Sequence, residues 1–300
     1  MHRMGTQDGA EPRRLVVAGL GYAGTAVARE AAGAGWRVIG TARDPSRASA
    51  PPGVEVVPFA DAGPAIAAAT HLLATAAPRE DAGDPVLAAH RDAVLAAPRL
   101  RWIGYVSTTG VYGDHGGGWV DEGTRPTPMQ DRTRRRVAAE EQWAALAERF
   151  PVDLFRSGGI YGPGRSALDE LREGTARRTV KPGHAFSRVH RDDIALAVLA
   201  AMRQDRAPGV RVLHLVDDEP AESALVVEGA ARLLGVEPPP AVPFEEALPK
   251  MSPMGRSFWS ENRRVGNAAT KKALNIAWRH PTWRDGLAAI LREERGEGPA

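Results

Sequence analysis

The stretch that decides the fold is residues 16–24, which read V-V-A-G-L-G-Y-A-G. An apolar strand runs into the pattern G-x-G-x-x-G, formed by Gly19, Gly21 and Gly24, and a helix-forming segment, residues 25–32, follows. In this pattern the first glycine permits a tight turn, the second lets the backbone approach a diphosphate, and the third lets helix and strand pack closely. The phosphates then lie at the helix N-terminus. The stretch therefore predicts a dinucleotide site, and a glycine-rich turn without a ligand is the alternative.

The residues after the second predicted strand bear on the choice of dinucleotide. NAD sites place an acidic residue about 20 positions beyond the glycines, whereas NADP sites place an arginine there for the 2′-phosphate. Arg43 follows this strand, and Asp44 precedes Pro45, which makes Asp44 a better helix N-cap than ribose ligand. The sequence therefore favours NADP over NAD, and a merely solvated Arg43 is the alternative. The other predicted cofactor contacts in these βα units are Tyr22, Ala23 and Ala76.

Composition excludes several classes of protein. With 43% hydrophobic residues, the 300-residue chain can bury a large core. No apolar run reaches the roughly 18 residues that span a bilayer, and residues 1–14 lack the hydrophobic centre of a signal peptide, so we expect a cytoplasmic protein. Cysteine is absent, and the eight histidines never fall at metal-ligand spacing on a helix. We therefore expect no disulfide, no thiolate catalysis and no metal.

The charge pattern bears on the partners. The formal net charge is only +2, and the basic residues are spread along the chain, which argues against nucleic acid as a partner. All but four of the 39 basic residues are arginine. One cluster stands out, at residues 132–136.

The first half of the chain alternates short apolar runs with alanine-rich helical stretches, which is typical of a parallel sheet with crossover helices. The predicted strands are residues 15–18, 37–41, 54–58, 71–75, 101–107, 152–156 and 212–216. We predict a flexible tail over residues 1–13, a dinucleotide-binding Rossmann domain over residues 14–156, and a substrate lobe over residues 157–300. Segments at about 186–216 are expected to return to the sheet. The fold class is α/β, a doubly wound parallel sheet with a smaller C-terminal lobe.

Three further blocks extend the glycine motif. Residues 105–113 read Y-V-S-T-T-G-V-Y-G, residues 156–164 read R-S-G-G-I-Y-G-P-G, and residues 189–195 read V-H-R-D-D-I-A. In this order they resemble the extended short-chain dehydrogenase/reductase superfamily, specifically its NAD-dependent epimerase/dehydratase group, over roughly residues 14–290. The resemblance implies an NAD(P)-dependent oxidoreductase or epimerase acting on a small carbonyl, hydroxyl or nucleotide-sugar substrate. A dimer built on the helices predicted over residues 84–97 and 133–150 would follow the family's habit.

The resemblance also implies a catalytic hydroxyl and a Tyr-x-x-x-Lys dyad. Alignment on the V-Y-G block puts Thr108 at the position that orients the substrate carbonyl. Alignment on residues 137–140 puts Arg136 at the lysine position, where it would contact the cofactor ribose, and Arg132 at the tyrosine position. A guanidinium stays protonated and cannot act as a general acid. Either another group donates the proton, or no proton is donated.

Three side chains are candidates for the missing proton donor. Tyr112 and Tyr161 belong to blocks that line the site in the family, and His115 lies in the glycine-rich loop that follows.

Arg132 and Arg136, four residues apart, would share a helix face and favour an anionic substrate; an exposed arginine-rich turn is the alternative. Lys181 is a further candidate for such a site. The opposing hypothesis is a dinucleotide-binding sensor or scaffold without catalysis.

Overall fold

The computed structural model describes residues 13–80 and 83–297, so the predicted tail lies outside the described residues except for Arg13. The strands are β1 Arg14–Ala18, β2 Arg37–Ala42, β3 Val54–Pro58, β4 His71–Ala74, β5 Trp102–Thr108, β6 Trp119–Val120, β7 Pro151–Ser157, β8 Gly159–Tyr161, β9 Arg178–Val180, β10 Arg188–His190, β11 Gly209–Leu215, β12 Ala241–Pro243 and β13 Arg264–Val265. The α-helices are α1 Tyr22–Gly33, α2 Gly63–Ala67, α3 Pro85–Ala96, α4 Asp131–Ala144, α5 Ala167–Arg172, α6 Arg191–Met202, α7 Ser223–Leu234, α8 Phe244–Ala247, α9 Pro253–Trp259, α10 Ala268–Leu274 and α11 Trp283–Glu294. No helix of this described part is long and apolar enough to cross a membrane.

Seven parallel strands form the central sheet, in the order β11-β7-β5-β4-β1-β2-β3. The chain runs outward from β1 to β3 on one side and from β4 to β11 on the other, so the direction of winding reverses between β1 and β4. All seven predicted strands are present, and the predicted doubly wound α/β class is confirmed. Ligands of such sheets bind beyond the carboxyl ends of the strands at this reversal.

The core lies on both faces of the sheet. Leu15 and Val17 of β1 pack with α1 and α6, whereas Val16 and Ala18 face the opposite layer, which contains α2, α3 and α4. Alternate residues of a strand point to opposite faces, so a continuous apolar run is what a strand covered on both sides requires. This burial fixes the carboxyl end of β1, and with it the position of the glycine motif.

The second half of the chain contributes to two places. Its β11 and α6 join the sheet layers, as expected of a segment near residues 186–216. Helices α5, α7 and α11 pack around Tyr161 and Trp283 in a separate apolar cluster. Three further parallel pairs form outside the central sheet, β8 with β10, β9 with β12 and β6 with β13, and the last of them joins the second half of the chain to the first. The boundary of the substrate lobe at residue 157 stays a prediction.

Two predicted helix caps have different outcomes. Asp44 is the N-cap of the short 3-10 turn Pro45–Arg47, and its Oδ1 accepts from the Ser46 amide at 3.1 Å, as predicted. The sequence also predicts that Asp192 or Asp193 caps a helix that begins at Ile194, and this prediction is wrong. Helix α6 begins at Arg191, and the His190 imidazole accepts from the Asp192 amide.

Candidate functional site

A cleft of about 790 Å³ lies at the carboxyl ends of the central strands. Its walls come from the N-terminus of α1, the ends of β5 and β7, the first turns of α4, the segment before β10, and residues 258–265. It is placed where the winding reverses. A site in an open α/β sheet is expected there.

The three glycines of the motif have three different geometries. Gly19 has φ +119°, a left-handed conformation that permits the turn. A Cβ on Gly24 would lie 2.2 Å from the Gly19 carbonyl oxygen, so only glycine lets α1 pack this closely on the turn. A Cβ on Gly21 would meet no described atom within 4 Å, so this position faces open space in the cleft.

The N-terminus of α1 suits a diphosphate. Its N-cap is Gly21, which has no side chain that could accept from the helix amides, and the first turn has no acidic residue. The first amides of a helix lack intrahelical acceptors, and the helix dipole favours an anion there. Tyr22 and Ala23 of this turn line the cleft. The unclaimed amides and the open space at Gly21 therefore fit a dinucleotide.

Two other predicted cofactor residues, Arg43 and Ala76, are not part of the cleft lining. Arg43 is exposed after the end of β2. Ala76 lies between Thr75 and Ala77, which both line the cleft. Thr75 Oγ1 donates to the Gly19 carbonyl at 2.6 Å, so this loop fixes the glycine turn. Contacts from Arg43 and Ala76 to a nucleotide stay predictions.

Thr108 lies at the cleft, at the end of β5. Its Oγ1 accepts from the Gly110 amide at 3.1 Å, which fixes the oxygen and leaves its proton free for an acceptor in the cleft. The neighbouring Ser107 also lines the cleft, and its buried Oγ has no hydrogen-bond partner among the described residues. Sequence reasoning did not single out Ser107, although it stands beside Thr108 in the same block.

Arg132 and Arg136 both line the cleft from the start of α4. Nη1 of Arg136 donates to the Tyr105 hydroxyl at 2.9 Å and to the Val106 carbonyl at 3.0 Å. Burial raises the pKa of Tyr105 to about 12, although Arg136 acts in the opposite direction. Arg136 is thus held against β5, while Arg132, one turn earlier, contacts the Phe258 ring.

Tyr112 lies outside the cleft, contrary to the expectation that it could act there. Its side chain is fully buried, and its hydroxyl accepts from Arg156 at 2.8 Å and contacts His214 Nε2. Glu140 pairs with Arg156 at 2.7 Å in the same network. Burial raises the pKa of Tyr112 to about 12. The short 3-10 turn after β5 directs this ring into the protein, so the contacts of Tyr112 are those of a buried structural residue.

His115 and Tyr161 are also absent from the cleft lining. His115 Nε2 donates to the Tyr112 carbonyl at 3.1 Å, which ties the imidazole to its own loop. Tyr161 is buried against Trp283, and a Cβ on Gly286 would lie 2.0 Å from its hydroxyl oxygen. Its hydroxyl has no described hydrogen-bond partner, and burial raises its pKa. Tyr161 borders a second cavity of about 400 Å³ beside the cleft.

Sequence reasoning missed most of the charged and aromatic wall. The described lining contains six arginines and one carboxylate. The arginines are Arg132, Arg135, Arg136, Arg165, Arg188 and Arg263. The carboxylate is Glu261, whose side chain is 2% exposed; its Oε2 accepts from Arg263 at 2.8 Å, and its Oε1 has no described partner. Lys181 lies elsewhere, where its Nζ donates to the Trp259 carbonyl at 2.9 Å.

One group of possible metal ligands exists in the described part of the chain. Donor atoms of His190, Asp192 and His280 lie within 4.8 Å of one another, although the histidines are far apart in sequence. Arg29 contacts the Asp192 carboxylate at 2.8 Å, and Arg191 contacts it at 3.5 Å. These guanidinium groups already neutralise the one anionic donor. The absence of a metal stays a prediction.

The chain is similar to known proteins both in sequence and in fold. No family model matches the chain. It is 30% identical over 245 residues to protein YeeZ of Escherichia coli K12, covering 76% of this chain and 86% of that protein. It is 33% identical over 168 residues to a Streptomyces 3-diazoavenalumate denitrifying reductase, and this match covers 54% of each chain. The match thus spans about half the length of that reductase.

Solved structures extend the likeness over the whole described fold. A conserved protein of unknown function from Silicibacter pomeroyi DSS is 44% identical, with a TM-score of 0.85 over 94% of this chain and 99% of that one. MoeE5 in complex with UDP-glucuronic acid and NAD is 19% identical, with a TM-score of 0.77 over 95% and 100%.

The fold and the cleft define an α/β protein with the Rossmann-type architecture of NAD-dependent epimerases and dehydratases. Within that class, the chain belongs to the family of Escherichia coli protein YeeZ.

Proposed function

We propose that this protein is an NAD(P)-dependent oxidoreductase that acts on a small anionic substrate. One observation carries the proposal: the uncapped N-terminus of α1 opens into a cleft whose described lining holds six arginines and one carboxylate. A diphosphate would satisfy the amides of α1, and the arginines remote from α1 would then bind a second anion. The reductase among the relatives and the NAD complex of MoeE5 support this proposal.

The cofactor would be held by main chain and arginine. The amides of Tyr22 and Ala23 would donate to the diphosphate, and Gly21 leaves room for its approach. Arg136, fixed by Tyr105 and Val106, stands at the position that contacts the cofactor ribose in the resembled family. Arg43 would pair with a 2′-phosphate, so we propose NADP rather than NAD. Bound nicotinamide would supply or accept a hydride.

The residues near β5 would orient the reacting oxygen. Thr108 Oγ1 accepts from Gly110 and keeps its proton for a substrate carbonyl oxygen. None of the three predicted proton donors lines the cleft. Glu261 Oε1, buried and without a described partner, is the group that we assign to proton exchange with that oxygen. A substrate that needs no proton would make Glu261 dispensable.

Titration calorimetry and absorbance at 340 nm test this function. The purified protein is titrated with NADPH and NADH, then mixed with NADPH and a panel of anionic aldehydes and ketones. We expect micromolar NADPH binding, weaker NADH binding, and turnover that falls at least tenfold in Thr108→Ala. The exposed Thr175→Ala is the matched control. Lack of binding by both nucleotides would refute the function.

A catalytically silent sensor or scaffold is the second candidate. The observation that favours it is the placement of Tyr112, His115 and Tyr161 outside the cleft lining. This candidate predicts tight NADPH binding, no turnover with any member of the panel, and a cellular role that survives both Thr108→Ala and Glu261→Gln.

A further inference from the structure

One wall of the cleft is aromatic. The side chains of Phe186, Phe258 and Trp259 line it, at a place that no glycine or Tyr-x-x-x-Lys motif predicts. Trp259 is held in a cluster of rings, with centroids 5.0 Å from Phe186, 5.1 Å from His184 and 5.4 Å from Phe244. This wall is therefore preformed.

Phe258 differs from its neighbours because it is 49% exposed at the cleft. Large exposed aromatic rings next to a concave site mark places where a ligand removes apolar surface from water. Its ring contacts Arg132, whose guanidinium carbon lies 4.2 Å from the ring centroid.

The Arg132 side chain makes no ion pair or hydrogen bond with any other described residue. Its Nε is shielded from solvent and has no partner among these residues, and burial lowers the pKa of this guanidinium, an effect that Glu261 partly offsets. Four of the other cleft arginines differ: Arg135 pairs with Glu80, Arg263 pairs with Glu261, and Arg136 and Arg188 donate to main-chain carbonyls. Arg165 lies over the Tyr22 ring on the cofactor side of the cleft. Arg132 is thus a cation whose guanidinium N–H donors have no acceptor among the described residues.

The Arg132 guanidinium lies over the Phe258 ring, and Trp259 follows Phe258 in the same wall. A flat ring that stacks against Phe258 and Trp259 would carry a ring carboxylate in reach of Arg132, whose planar fork matches a carboxylate in two parallel hydrogen bonds. An aliphatic anion would satisfy Arg132 but would leave the rings in water. A neutral aromatic compound would cover the rings but would leave the Nε donor unpaired.

We propose that the substrate is a planar aromatic carboxylate, bound by Arg132 at its carboxylate and by Phe258 and Trp259 at its ring. This inference rests on the proposed function, because it places the substrate in the same cleft as the nucleotide.

Binding to the NADP⁺-saturated protein tests the inference without a known reaction. Benzoate and 4-hydroxycinnamate are compared with cyclohexanecarboxylate and benzamide by titration calorimetry. We expect both aromatic carboxylates to bind about tenfold or more tightly than the saturated acid and the amide. Equal affinity of benzoate and cyclohexanecarboxylate would overturn the role of the rings.

Two variants separate the two contacts, and a third serves as control. Arg132→Gln is expected to weaken aromatic carboxylates about tenfold while benzamide is unaffected, and Phe258→Leu is expected to reduce the preference for benzoate over cyclohexanecarboxylate. Arg134, exposed on the same helix and paired with Asp131, supplies the control Arg134→Gln, which should bind as the parent does.

The nucleotide titration distinguishes the possible failures. Loss of carboxylate selectivity with NADP⁺ binding intact refutes this inference alone, whereas absence of NADP⁺ binding refutes the proposed function. Unchanged carboxylate binding in a folded Arg132→Gln protein, with its thermal midpoint equal to that of the parent, also refutes the inference.

Discussion

Gly21→Ala is expected to weaken nucleotide binding without destabilising the protein. Gly21 has φ −83° and ψ −172°, an extended conformation that alanine adopts freely, and a Cβ there would meet no described atom within 4 Å. Alanine reduces the conformational entropy of the unfolded chain and thereby stabilises the folded protein by about 0.4–1 kcal/mol, whereas glycine is the better N-cap. These effects oppose each other, so the free energy of unfolding should change by less than about 0.5 kcal/mol, or about 1–2 °C in Tm.

The same methyl group would occupy the space through which a diphosphate approaches the amides of α1. Loss of one charge-assisted hydrogen bond costs about 1.5–3 kcal/mol, which corresponds to roughly 10- to 150-fold weaker binding. Titration calorimetry with NADPH measures this loss, and differential scanning calorimetry measures Tm.

Gly33→Ala is the matched control because Gly33 lies at the other end of α1 and its Cβ would also meet nothing within 4 Å. It should bind NADPH as the parent does and be slightly more stable. Gly24→Ala should bind NADPH more weakly and be less stable than the parent, because its Cβ would lie 2.2 Å from the Gly19 carbonyl oxygen. Unchanged NADPH affinity in Gly21→Ala, or equal losses in Gly21→Ala and Gly33→Ala, would refute the reasoning.

Three further variants test the surroundings of the cleft. Tyr161→Phe should leave the urea midpoint unchanged or raised, because the removed hydroxyl is buried without a described partner; a large loss of turnover with unchanged stability would instead make Tyr161 catalytic. Asp153→Asn should cost about 2–3 kcal/mol in urea unfolding and leave NADPH affinity unchanged, since Asp153 is fully buried, pairs with Arg206 at 2.6 Å and Arg211 at 2.8 Å, and lies outside the lining. Burial raises the pKa of Asp217 to about 8, so the folded state holds its proton between about pH 4 and pH 8 and the unfolded state does not. This stabilisation is lost as pH rises through that range, and Asp217→Asn should unfold with a flatter pH dependence; an identical pH profile would contradict the assignment.

The local parts of the fold could be predicted from the sequence. The inner strands of the central sheet are short runs rich in apolar residues, as burial on both faces of a parallel sheet requires. The glycine motif was also informative, because close packing and positive φ exclude larger side chains at Gly24 and Gly19. These constraints act over a few residues and are therefore visible in the sequence.

The composition of the cleft wall could not be predicted in this way. Phe258, Glu261 and Arg263 reach the cleft from a segment more than 200 residues beyond the glycine motif, and no local pattern indicates that contact. Tyr112 is a second residue whose surroundings the sequence does not indicate. The direction of its ring depends on Arg156 and His214, which meet it only in the folded chain.

A crystal structure of the protein soaked with NADP⁺ tests the central claim most directly. The proposal predicts diphosphate density at the amides of Tyr22 and Ala23, beside Gly21, with the 2′-phosphate at Arg43. Density for the nucleotide at another place, or an empty cleft at saturating NADP⁺ and at saturating NAD⁺, would contradict it.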